Sequence, residues 1–224
     1  MHSFLSSSIF ETNLTMMNAQ TKASQDAISP AKALELLKEG NQRFTAKQQV
    51  QRDLNLQVEQ TSTGQFPFAT VLSCIDSRVP AELVFDQGIG DIFSVRIAGN
   101  FVNADILGSM EFASKLAGTK LILVLGHTAC GAVKGACDHA ELGNLTGMLD
   151  NIAPAVDAIV EPTAAAERTS ANIDFVNSVG TKNVELTIDR IREESPVLAE
   201  MEQAGEIQII GGMYDIATGK VNFL

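Results

Sequence analysis

The chain has 224 residues, 45% of them hydrophobic, and a formal net charge of −11. That length suits one domain able to bury more than half of its unfolded surface, and the apolar content excludes wholesale disorder. Phosphate recognition needs clustered Lys and Arg, so the acidic balance speaks against a nucleic-acid partner; no apolar run approaches the ~18 residues of a membrane span.

Residues 1–28 are rich in Ser, Thr, Asn and Gln and read as a flexible N-terminal extension, leaving 29–224 as a single domain. The stretch "SFLSSSIF" is too polar for the apolar region of a signal peptide. Three cysteines, an odd count, fit a disulfide framework poorly and suit a reducing compartment or metal ligation. The expected compartment is therefore the cytoplasm. "SPAKALELLKEGNQRF" opens with Ser29 as N-cap and Pro30 in the first turn. Ala33, Leu36, Leu37 and Phe44 recur near helical spacing, which predicts an amphipathic helix with a candidate break at Gly40–Asn41. Residues 47–64 are polar and only weakly helical.

Three strand-like runs follow, at 68–74, 91–97 and 120–127. The third, "KLILVLGH", is continuously apolar, as in a strand covered on both faces. Residues 103–118 between the second and third predict a helix ending at Gly118. Strand, helix, strand in this order implies a right-handed parallel crossover. Beyond His127 the pattern is helical to about residue 160 and again up to the closing "EIQIIGGMYDIATGKVNFL", which reads as strand, turn, strand. The expected class is α/β: a mostly parallel sheet flanked by helices, with an antiparallel C-terminal edge strand.

In open parallel sheets ligands gather beyond the carboxyl ends of the strands. Cys74 ends the first strand and His127 the third. In "VLSCIDSRVP" Cys74, Asp76 and Arg78 alternate, and an extended backbone would put all three on one face. In "GHTACGAVKGAC" His127 and Cys130 fall in the turn before a helix opening at Gly131. Two thiolates, an imidazole and a carboxylate suit tetrahedral Zn²⁺. The alternative is two cysteines buried as small hydrophobes, a hydrogen-bonded His127, and an Asp76–Arg78 ion pair pinning a loop. Cys137 reads as packing and His139 as a solvated helix end.

"CIDSRVP" followed by "GHTACGAVKG" resembles the signature of the β-class carbonic anhydrases, C-x-D-S-R and H-x-x-C. The likeness runs from about residue 30 onward, through "ALELLKEGNQRF", "RIAGNFV", "GSMEFA" and "GGMYDIATGKVNFL". It implies a zinc enzyme that interconverts CO₂ and bicarbonate through a zinc-bound hydroxide. It also implies homodimers, or dimers of dimers, with active sites at the subunit interface. Cys74, His127 and Cys130 would be the permanent ligands. Arg78 would hold Asp76 off the metal in one state, and Asp76 would take the fourth position itself in the other. Gln65 would donate to a substrate oxygen and Gly131 would offer its backbone N–H. Phe93, Ala98 and Phe112 would line the CO₂ pocket, with Phe112 where plant members have Tyr. Two thiolates donate more charge than imidazoles, which would make the bound water less acidic unless a partner compensates. Val71 stands where some bacterial members carry the Trp of an inhibitory bicarbonate site, to which Arg96 would otherwise belong, so such inhibition is expected to be weak or absent. A hydrolase of carbonyl sulfide or carbon disulfide on the same fold, and a non-catalytic zinc protein, are the alternatives.

Overall fold

The computed structural model describes residues 18–224; the first part of the expected extension, residues 1–17, lies outside them. Folded structure reaches upstream of Ser29. Lys22–Asp26 forms a short helix, α1, and the buried Gln25 donates from Nε2 to the carbonyls of Pro67 (2.7 Å) and Ala117 (2.8 Å). Polar composition hides this contact, because an amide bonding to backbone leaves no apolar pattern to read.

Five strands form one sheet in the order β2-β1-β3-β4-β5. β1 (Ala69–Ser73), β2 (Ile92–Arg96), β3 (Leu121–His127) and β4 (Gln208–Tyr214) are parallel; β5 (Val221–Phe223) returns antiparallel to β4. β1 and β3 are buried along their whole length, whereas β2, the outermost parallel strand, is only partly covered. The fold class is as the sequence predicts.

On one face, α2 (Pro30–Thr45) and the single turn α4 (Ala81–Val84) cover Ala69, Val71, Leu121, Leu123 and Leu125. α2 does not break at Gly40. A Cβ there would lie 1.8 Å from the carbonyl oxygen of Phe85, so glycine allows close approach inside a continuous helix. Asn41 beside it is buried, donating to the carbonyls of Val84 (3.1 Å) and Gly219 (2.9 Å) and accepting from the N–H of Val221 (2.8 Å). The segment read as weakly helical contains α3 (Leu54–Thr61), capped by Asp53. On the other face, α5 (Ala104–Glu111), α9 (Ile173–Glu194) and α10 (Pro196–Gln203) pack on Leu72, Ile122 and Val124. A π-helical turn, Phe112–Leu116, extends α5.

Past His127 the expected long helical stretch is instead three short helices, α6 (Gly131–Cys137), α7 (Gly143–Leu149) and α8 (Ala153–Ala158). The chain turns between the first two through His139, at φ 49°. Among the described residues no helix is long and apolar enough to cross a membrane.

Candidate metal centre

β1 leaves the sheet ladder at Ser73, and residues 74–78 form a bend and a turn rather than further strand. The shared extended face expected of Cys74, Asp76 and Arg78 is therefore absent. The loop gathers Asp76 and Arg78 by hydrogen bonds instead. Arg78 donates to Asp76 Oδ1 from its backbone N–H and from Nε, both at 2.9 Å, and to Oδ2 from Nη2 at 2.7 Å. These bonds from Arg78 hold the Asp76 carboxyl well below the usual carboxylate range.

His127 ends β3 between β1 and β4. Its Nδ1 lies 3.0 Å from the carbonyl oxygen of Thr128. A carbonyl only accepts, so Nδ1 carries the proton and Nε2 presents its lone pair. Nε2 is buried and meets no hydrogen-bond partner. Ala129 then takes the left-handed conformation, φ 53°, which strains an L-residue. Its N–H donates to Asn177 Oδ1 of α9 at 2.8 Å, which supports the turn. Cys130 follows as the N-cap of α6.

The ligand atoms of Cys74, His127 and Cys130 all lie within 4.8 Å of one another, and all three residues are buried. The two sulfurs are 3.9 Å apart. At that spacing each thiol bears on the other's ionisation. The bond from Cys130 pulls the Cys74 thiol down, and Cys130 is pushed up by that same bond and by burial. A buried imidazole nitrogen with no hydrogen-bond partner, beside two sulfurs in contact, is a donor set fit for a metal ion, which would satisfy all three. Asp76 stands at the border of this group, with Oδ2 3.9 Å from His127 Nε2. Cys137 is packed in the apolar cluster beneath α6, where burial pushes its thiol up to about 11.

Two residues near the ligands escaped sequence reasoning in this role. The β1–β2 register sets Arg96 opposite Ser73. From there it donates to the carbonyl of Cys74 from Nε (2.9 Å) and to that of Asp76 from Nη2 (2.7 Å), clamping the loop. The N–H of Gly99 donates to Cys74 Sγ at 3.4 Å. No sequence signal marks either contact, because each involves a backbone group.

A cavity of about 270 Å³ opens beside the cluster, lined by Cys74, Asp76, Ala98, Gly131, Leu145 and Met148 among others. Leu145 and Met148, on α7, were not singled out from sequence. Phe93 and Phe112 lie elsewhere: their rings meet edge to face, centroids 6.4 Å apart, in a concavity of about 730 Å³ beside β2. Gln65 is exposed in the segment between α3 and β1.

An α/β sheet with a buried Cys–His–Cys group at its carboxyl edge narrows the class, and comparison with known proteins fixes it. Residues 69–221 match the family described as carbonic anhydrase. The chain is 35% identical to a carbonic anhydrase of Mycolicibacterium smegmatis over 195 residues, 86% of this chain and 92% of that one. It is 33% identical to carbonic anhydrase 2 of Mycobacterium tuberculosis over 198 residues, covering 86% and 91%. Among solved structures, the β-carbonic anhydrase CcaA superposes with a TM-score of 0.68 at 23% identity, over 85% of this chain and 91% of that one. The β-carbonic anhydrase CafA of Aspergillus fumigatus gives 0.66 at 24%, over 87% and 89%. The chain belongs to the β-class carbonic anhydrase family and is an enzyme of that family.

Proposed function

We propose that this enzyme interconverts CO₂ and bicarbonate with Zn²⁺ held by Cys74, His127 and Cys130, and with Asp76 and Arg78 acting beside the ion. One observation carries the reading: two sulfurs 3.9 Å apart next to an orphaned imidazole nitrogen. Tetrahedral Zn–S bonds of ~2.3 Å set two sulfurs ~3.8 Å apart, so the spacing suits that ion. When bound, Zn²⁺ would supply a nucleophile from water near neutral pH.

Asp76, kept ionised by Arg78, cannot serve as an acid near neutral pH. It acts as an acceptor, taking a hydrogen bond from the attacking group and aiming its lone pair at carbon. A carboxylate that can answer either to a guanidinium or to a cation is a two-position switch. Held by three bonds to Arg78, Asp76 stays outside the ligand group; released, its Oδ2 is near enough to His127 Nε2, 3.9 Å, to join it. The apolar walls formed by Ala98, Leu145 and Met148 suit uncharged CO₂. The N–H of Gly131, at the start of α6, serves a bicarbonate oxygen.

Assembly as a homodimer or dimer of dimers completes the proposal. It is supported by the partly covered edge strand β2 and by Phe112, 53% exposed beside it. Two β-carbonic anhydrases of Sordaria macrospora, one of which shares this fold with a TM-score of 0.63, are described as tetrameric. Gln65, Phe93 and Phe112 would join the substrate pocket across that edge. The test pairs metal analysis with stopped-flow CO₂ hydration on the purified chain. Zinc equimolar with the chain and rapid hydration are expected. Activity in zinc-free protein would sink the mechanism, and release of H₂S from carbonyl sulfide or carbon disulfide without CO₂ hydration would transfer the site to that chemistry.

A further inference from the structure

Helix α9 reaches two loops beside the site, each with an asparagine: the one between His127 and Cys130, and the one that follows β2. Asn177 accepts from Ala129, in the loop between His127 and Cys130. Asn183, 3% exposed, donates from Nδ2 to the carbonyl of Gly99 at 2.7 Å. Gly99 in turn donates its N–H to Cys74 Sγ at 3.4 Å. Its conformation is one that only glycine adopts freely, φ 81°, and a Cβ on it would lie 2.4 Å from Ile152 Cδ1. The residue is thus held from three sides: by Asn183, by the packing of Ile152, and by its own left-handed backbone. Its N–H points at a sulfur as a result.

We infer that Asn183 is a positioning residue for the metal centre, acting through the Gly99 N–H on the Cys74 sulfur. An N–H on a thiolate withdraws charge that the sulfur would otherwise donate to the metal. A site with two thiolates has charge to spare, and this bond offsets part of it on one of the two. Asn177 differs in kind: it braces the chain between the other two ligands and sends no donor to either sulfur. One helix therefore supplies a geometric brace to His127 and Cys130 and an electronic one to Cys74. Groups that orient and tune ligands from behind typically change metal affinity 10–100-fold when removed.

The inference rests on the metal reading proposed above, and Co²⁺ in place of Zn²⁺ separates their failures. In the Co²⁺-loaded chain, Asn183→Ala is expected to move the thiolate-to-Co²⁺ charge-transfer band to longer wavelength, because an unbonded thiolate gives up an electron more readily. Metal affinity should fall about 10-fold. Asn177→Ala should weaken metal binding with the band in place. A band unmoved by Asn183→Ala overturns the inference, whatever happens to stability, and so does an equal movement in Asn177→Ala. Absence of any such band in the unsubstituted chain overturns the metal reading and this inference with it. Where Asn183→Ala does not fold, the unsubstituted, ¹⁵N-labelled chain loaded with ¹¹³Cd²⁺ provides the test. The Gly99 amide proton is expected to show scalar coupling to cadmium through the hydrogen bond, and its absence overturns the inference.

Discussion

Two concavities flank the end of β2, and they are built in opposite ways. The one of about 270 Å³ beside Cys74 is set in place within one chain: Arg96 ties its loop, α9 braces its turns, and its three candidate ligands are buried. The one of about 730 Å³ beyond β2 is open and mixed, with Phe93 and Phe112 set among Arg96, Asp105 and Ser109, and Phe112 is 53% exposed. The first is a site whose geometry a single chain specifies. The second is an exposed face, the one that the proposed assembly would cover. Chemistry that needs rigid placement is gathered at the former, and the aromatic residues attributed to the pocket sit at the latter.

The sharpest way to break this contrast is to remove a ligand. Cys130→Ser is expected to abolish metal binding and CO₂ hydration together and to lower the melting temperature, since metal binding couples to folding. Metal analysis with a thermal melt checks it; metal retained at full occupancy would contradict the ligand set. The opposed shifts of the two thiols add a pH signature. Burial and the bond to Cys74 raise Cys130, which must lose its proton to bind metal, whereas that same bond lowers Cys74. Zinc affinity should therefore rise with pH through the neutral range, with a single proton released per ion, as calorimetry in buffers of different ionisation enthalpy would read out.

Next in size is Asp76→Asn, which keeps the shape and removes the charge. Zinc should stay bound while turnover falls on the order of 100-fold or more, the usual scale for losing a positioned proton acceptor. Stopped-flow rates beside metal content decide it, and unchanged turnover would refute the role given to Asp76. On the open side, Phe112→Glu places a charge where apolar surface is to be covered. Sedimentation should show a smaller assembly with metal content preserved. An unaltered assembly would mean that this surface is not where copies meet.

What the sequence made legible follows the same divide. Cys74, His127 and Cys130 could be read because strand ends and ligand chemistry are local properties, and the sheet aligns those ends. Asp76 and Arg78 could be paired from spacing, although a turn rather than an extended strand brings them together. Gly40 looked like a helix break because its reason, the Phe85 carbonyl lying against it, comes from a distant element. Gln25, Asn177 and Asn183 gave no signal for a related reason. Each bonds to a backbone group, which every residue possesses, so nothing in the partner's identity marks the contact.

Arg96 tests that last point most finely. Its guanidinium bonds two carbonyls, those of Cys74 and Asp76, from the neighbouring strand. Arg96→Ala removes both bonds, of which the one to Asp76 is exposed and the one to Cys74 part-buried, and Arg96 is itself exposed. Hydrogen bonds to charged donors contribute ~1.5–3 kcal/mol where buried, and water recovers much of that at an exposed site. Global stability should therefore fall by only about 1 kcal/mol. The loop from Cys74 to Arg78, no longer clamped, should sample more orientations of Asp76, so metal affinity and turnover should each drop about 10-fold, the lower end of what supporting residues contribute. Arg96→Lys offers one point charge instead of a planar fork and reaches one carbonyl, not two. It should recover metal affinity more fully than turnover. Equal recovery of both would mean that Arg96 only fastens the strand end and has no part in aiming the carboxylate.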